Sequence, residues 1–168
     1  MKEDFESISI TGRYIYGYLC LIIYLKEKSD IFLPSKLNVL IKEFVKKNDL
    51  EKWHEKAEEI LPSFIFENEF KTGCYEFIDD EFYFELKSYY SSIDANSLGL
   101  IENLLLLGSS NLYGAFESDI TMKYLLNIIE IIKNNKYNLP DINVVLGCLV
   151  TQKGGWGDIV KMEDFIEN

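Results

Sequence analysis

Residues 119–135 read DITMKYLLNIIEIIKNN, and the period of this stretch decides the fold class. Lys123, Asn127, Glu130 and Asn134 recur at three- and four-residue steps and form one narrow polar stripe. Tyr124, Leu125, Ile128, Ile129, Ile131 and Ile132 cover the rest of the circumference. A helix that is apolar over so much of its surface is packed on several sides, so the spacing predicts a central helix. Ser118 or Asp119 is placed to cap it.

Working outward, helical spacing recurs. Residues 8–28 carry Ile10, Tyr14, Tyr18, Leu21 and Leu25 on one face and Ile15, Leu19, Ile22 and Ile23 on the other. The apolar run 14–25 is twelve residues long and ends in KEK, well short of the roughly twenty a membrane span requires, so it reads as a buried helix. Pro34 opens a second helix. Asp49 caps a third, in which Leu50, Trp53, Ala57 and Ile60 share a face and which Pro62 stops. Residues 74–91 allow a hairpin around Asp79-Asp80 or a helix over 81–91 lined by Phe82, Leu86 and Tyr90, and the helix is favoured. A fifth helix spans 94–107, capped by Asp94 and ended by Gly108. The connection 108–119 is expected to be held by packing. The expectation is a single all-α domain over residues 1–168, with about six helices and a glycine-rich C-terminal corner, KGGWGD at 153–158.

Composition narrows the function. Of the 168 residues 48% are hydrophobic and 14% aromatic, which excludes a disordered chain, and one core burying roughly 70% of the unfolded surface is expected. The net charge of −11 is concentrated in the middle third. Residues 1–50 hold seven acids and eight bases, whereas 51–100 hold twelve acids and four bases. Such a block repels nucleic acid and anionic membranes and attracts a basic partner. Cys20, Cys74 and Cys148 are odd in number and widely spaced, and the acidic start MKEDFES lacks a signal-peptide pattern; both features point to reduced thiols in the cytoplasm.

No motif announces catalysis or a cofactor. Glu51-x-x-His54 has the spacing of half a di-iron site, but His54 is the only histidine, so the required second half is missing and no metal is expected. His54 reads instead as a helix-edge imidazole paired with Glu58, one turn on. Asp79 and Asp80 form an acidic pair that stands out by nothing but charge, and a charge run is ordinarily a solvated face. Arg13 is the one arginine among seventeen basic residues, and its place in an apolar helix suits either a snorkelling end or an internal bidentate tether, ahead of a ligand contact. The three glycines around Trp156 suit a sharp corner better than a phosphate cradle, because no strong helix follows them and acids surround them. Trp156 is expected to be buried as a clamp, with an outward aromatic anchor as the alternative.

Five blocks taken together resemble a known family: TGRYIYGYLCL at 11–21, LEKWHEKAEEILPS at 50–63, SSNLYGAFES at 109–118, NNKYNLPDI at 134–142 and GGWG at 154–157. In that order they are similar to an all-helical bacterial immunity-protein family encoded beside polymorphic toxins, immunity family six. The stretch 66–93 lies outside the matching blocks. The resemblance implies a non-catalytic cytoplasmic protein that binds and neutralises a cognate toxin domain. A nuclease toxin, with its basic active site, would suit the acidic block. Carried over residue by residue, Arg13, Trp53, Pro62, Asn111, Tyr113, Gly114, Glu117 and Trp156 fall in the matching blocks, as contact or structural positions. The competing expectations are a helical scaffold or regulatory interaction module unrelated to toxins and, third, an enzyme without a recognisable motif.

Overall fold

The computed structural model describes residues 2–29, 31–47, 49–71, 75–110 and 118–166. Eight α-helices occupy them: α1 (Ile10–Ser29), α2 (Ser35–Glu43), α3 (Leu50–Glu59), α4 (Pro62–Glu67), α5 (Asp80–Ser92), α6 (Ala95–Ser109), α7 (Asp119–Asn134) and α8 (Glu163–Ile166). Short 3-10 turns cover Glu3–Phe5, Phe44–Lys46, Ile142–Val145 and Gln152–Gly155. The fold is all-α. No strand forms among the described residues, and the one β-type contact is an antiparallel bridge between Ile8 and Leu149. Six helices are seven residues or longer, and they match the six expected, including the 81–91 helix favoured over a hairpin.

Local chemistry explains most boundaries. Asp49 Oδ1 accepts from Lys52 N at 3.0 Å, Asp79 Oδ1 from Phe82 N at 2.8 Å and Ser118 Oγ from Thr121 N at 3.0 Å, each answering an amide that the first helical turn leaves unpaired. The ambiguous stretch resolves as a helix because Phe82, Leu86 and Tyr90 all bury on one face of α5, with Tyr83 beside them. Pro62 both closes and opens. α3 ends at Glu59, and Pro62 is the first residue of a further short helix, α4, whose start is held by Glu102 of α6 accepting from Ser63 N and Oγ at 3.0 and 2.6 Å.

α7 packs on both α1 and α6, as its spacing predicts, and leaves Lys123, Glu130 and Asn134 of the expected polar stripe in solvent, while α1 is also covered by the 142–145 turn. One boundary needs correction. Gly108 does not end α6, which runs on through Ser109. It lies inside the helix, where a Cβ would stand 2.5 Å from the Trp53 ring and 2.9 Å from the Tyr14 ring. The glycine is there for contact between α6 and α3, and the helix runs on to a right-handed C-cap at Ser110.

Candidate interaction surface

Arg13 is 4% exposed and is an internal tether. Its Nε and Nη2 donate to Phe5 O at 3.2 and 3.0 Å, and its Nη1 donates to Ser118 O and Thr121 Oγ1, both at 3.0 Å. The bidentate partner is a backbone carbonyl instead of a carboxylate. Burial pushes the guanidinium pKa down, against the opposing charges of Asp119 and Glu6. The side chain joins the N-terminal turn to the start of α7. Trp53 is also internal: its Nε1 donates to Leu40 O at 2.8 Å and its ring packs on Tyr14 and Phe44. His54 Nε2 lies 3.5 Å from Glu58 Oε1 on the edge of α3, the pair that the spacing implies.

The glycine corner answers the backbone more than the ring. Gly154, Gly155 and Gly157 adopt φ of 63°, 91° and 84°, and Lys153 joins them at 46°. These left-handed values turn the chain onto the N-terminus of α1, where the Thr11 N–H donates to Trp156 O at 3.1 Å and the Thr11 hydroxyl to the same oxygen. Ser9 N donates to Cys148 O and Val150 N to Ser7 O, both at 2.8 Å, so the two ends of the chain are laced together. Lys47 Nζ donates to the carbonyls of Trp156, Gly157 and Asp158; burial pushes its pKa down to about 8, against the pull of Asp158. The Trp156 ring is half-buried against the core, between the two placements considered for it. The corner therefore supplies a capping carbonyl to the central helix.

Several carboxylates of the acidic block have structural partners, among them Glu81, whose Oε2 lies 4.0 Å from Lys36 Nζ. Glu59 is consumed: its two oxygens accept from the backbone of Glu76, Phe77 and Ile78 at 2.6, 2.9 and 3.1 Å, which sets the entry to α5. Asp79 caps that helix and Asp80 Oδ1 accepts from Glu81 N, yet both remain exposed beside Glu81 and Glu85. Between residues 66 and 85 the sequence holds seven acids and one lysine.

Within that charge lies an aromatic cluster that the helical pattern did not flag as a site. Phe70 stacks on Tyr75 at 5.3 Å, approaches Tyr83 at 5.3 Å and Phe84 at 6.3 Å, while Phe64 meets Tyr75 edge-on. The Tyr83 hydroxyl donates to Asn68 O at 2.8 Å and fixes the chain that leaves α4. Phe84 is 60% exposed, so the outer rim of the cluster faces solvent, whereas Phe66, 47% exposed, packs separately beside Tyr90 at 6.5 Å. The available signal was Phe84 itself, which falls off the Phe82–Leu86–Tyr90 row of α5.

Asn111, Tyr113, Gly114 and Glu117, with most of the 108–119 connection and Cys74, lie outside the described residues. Cys20 and Cys148 are buried free thiols, and burial pushes both pKa values up. Among the described residues no three His, Cys, Asp or Glu side chains converge as metal ligands, and no helix is long and apolar enough to cross a membrane. No family model, curated protein or solved structure matches this chain.

Proposed function

We propose that this chain is a non-catalytic cytoplasmic immunity protein that binds a cognate bacterial toxin domain and neutralises it, and that the toxin presents a basic surface of the kind a nuclease uses. The observation that carries the reading is the aromatic cluster where α4 and α5 meet, at whose rim Phe84 stands exposed among exposed carboxylates. Exposed aromatics on a packed base are a contact core, and the charges around them select a basic partner and speed its approach. The five resembling blocks supply the toxin-neutralising context, and the internal roles of Arg13 and Trp53 fit blocks that maintain a scaffold. The partner-specific face then falls in 66–93, the stretch outside those blocks.

The test is co-expression with the C-terminal domain of the secreted protein encoded beside this chain, scored for survival and co-purification. Rescue and a stable complex are expected. Phe84→Ala is expected to weaken the complex at least tenfold while the chain stays folded, since that side chain is 60% exposed. Survival that does not depend on this chain, with no co-purification, would reject the reading.

A further inference from the structure

Away from the acidic face, four lysines line one cavity. It measures about 180 Å³ and is bounded by Glu43, Lys46, Lys47, Asp49, Leu50, Lys52, Trp53 and Lys56. Four cations against two carboxylates leave its lining at +2, on a chain whose net charge is −11. Lys47 is occupied by the corner carbonyls. Lys46, Lys52 and Lys56 have no carboxylate within 4.0 Å of their ammonium nitrogens among the described residues, although the charge of Lys46 also acts on Glu163 at a longer range.

Part of their placement also works against the fold. Lys52 and Lys56 are four residues apart on α3, so two like charges share a face, a pairing that destabilises a helix. Lys52 further sits in the first turn, where the helix dipole presents its positive end. Asp49 caps that turn and Glu51 stands in it, which offsets part of the cost without pairing the ammonium groups. An anion in the cavity would neutralise the remainder.

We infer that the cavity between the Phe44–Lys46 turn and α3 binds a small, multiply charged phosphate-type anion, held by Lys46, Lys52 and Lys56. A monocarboxylate would leave most of the lysine charge uncompensated, whereas lysine holds phosphate as a point charge without demanding planar geometry. The cavity is smaller than the ~300–1,000 Å³ of pockets that enclose drug-sized ligands, so the ligand is an inorganic phosphate, a pyrophosphate or the phosphate end of an ester, and a whole nucleotide does not fit inside. This site is independent of the toxin reading and lies on different helices from the aromatic face.

Calorimetric titration of the full chain with sodium pyrophosphate, inorganic phosphate and glycerol phosphate, at ionic strength held constant with sodium chloride, tests it. One saturable site is expected, with pyrophosphate tightest if free phosphates are the source and glycerol phosphate tightest if esters are. Lys52→Gln with Lys56→Gln is expected to lose at least tenfold in affinity, yet to melt no lower than the parent without anion, because a like-charge pair has been removed. If that variant melts lower, Lys46→Gln from the opposite wall decides, and it is expected to weaken pyrophosphate several-fold. No saturable heat from any phosphate, citrate binding as tightly as pyrophosphate, or unchanged affinity in the lysine variants would overturn the assignment.

Discussion

At Gly108 a hydrogen atom stands where any other residue would place a carbon. Alanine in a helix interior ordinarily gains about 0.5–1 kcal/mol over glycine. Here the added Cβ would meet Trp53 at 2.5 and 2.8 Å and Tyr14 at 2.9 Å. Neither ring can retreat freely, because Trp53 Nε1 is bonded to Leu40 O and the Tyr14 hydroxyl to Ile41 O. Overpacking of this kind costs about 1–3 kcal/mol and outweighs the helix gain. Gly108→Ala is therefore expected to lose about 1–2 kcal/mol in urea unfolding. Gly99→Ala in the same helix meets only the flexible Ile131 Cδ1 at 3.2 Å, and should be neutral or stabilising by up to ~1 kcal/mol. Equal unfolding midpoints for the two variants would show that the rings yield. Arg13 is the polar counterpart of this contact. Arg13→Lys is expected to cost about 2 kcal/mol, because one ammonium cannot span Phe5 O on one side and Ser118 O on the other.

Elements are joined at their ends in this molecule, and the joints are where acid and strain act. Asp94 accepts from Asn96 N at the start of α6 and pairs with Lys28 of α1 at 2.7 Å. Burial opposes the Asp94 charge, but hydrogen bonds from Lys28, Ser97 and Asn96 prevail and bring its pKa from 3.8 to about 2. A carboxyl whose folded value lies below its unfolded value stabilises the fold above the unfolded value, and that contribution disappears as pH falls through the folded one. Stability should thus decline between about pH 4 and about pH 2 in the parent. Asp94→Asn keeps a capping oxygen without the titration, so its stability curve should be flatter across that window. Identical slopes would mean that the Lys28 pair contributes nothing. At the other joint, Gly157 has φ 84°, and a Cβ there would run into Ser9 Oγ and Thr11. Gly157→Ala is expected to release the corner from α1, read as faster amide exchange at Ser9, Thr11 and Val150 with the α6–α7 pairing protected. Trp156→Ala removes only a half-buried ring and leaves the capping carbonyl, so it should melt closer to the parent than Gly157→Ala does.

Across the whole molecule charge is segregated, with exposed carboxylates around α5 and a lysine-lined cavity between α2 and α3. A long-range field of that kind governs encounter more than residence. If the toxin docks on the aromatic face, its association rate should fall about tenfold or more between low and physiological salt. Glu81→Gln with Glu85→Gln should slow association, whereas Phe84→Ala should speed dissociation, both measured by surface-immobilised kinetics. An association rate indifferent to salt would mark the acidic block as solvation only.

What the sequence determined by itself was whatever is local in the chain. The 3.6-residue period set five of the six longer helices and left α5 open to a hairpin, and Asp49, Asp94 and Ser118 cap their own helices because a cap bonds to amides two or three residues ahead. The His54–Glu58 pair was legible for the same reason, one helical turn apart. Arg13 stood out by its rarity, but its partners Phe5 and Ser118 belong to different elements, so only packing could choose between a tether and a snorkelling end. Tertiary structure alone decided that Gly108 is a contact and not a terminator, that the glycine corner caps α1, and that Phe84 stays outside while Phe82 goes in. It also brought Lys46 to the same cavity as Lys52 and Lys56. These outcomes depend on which surfaces meet across long loops, and no periodicity along a single helix encodes that meeting.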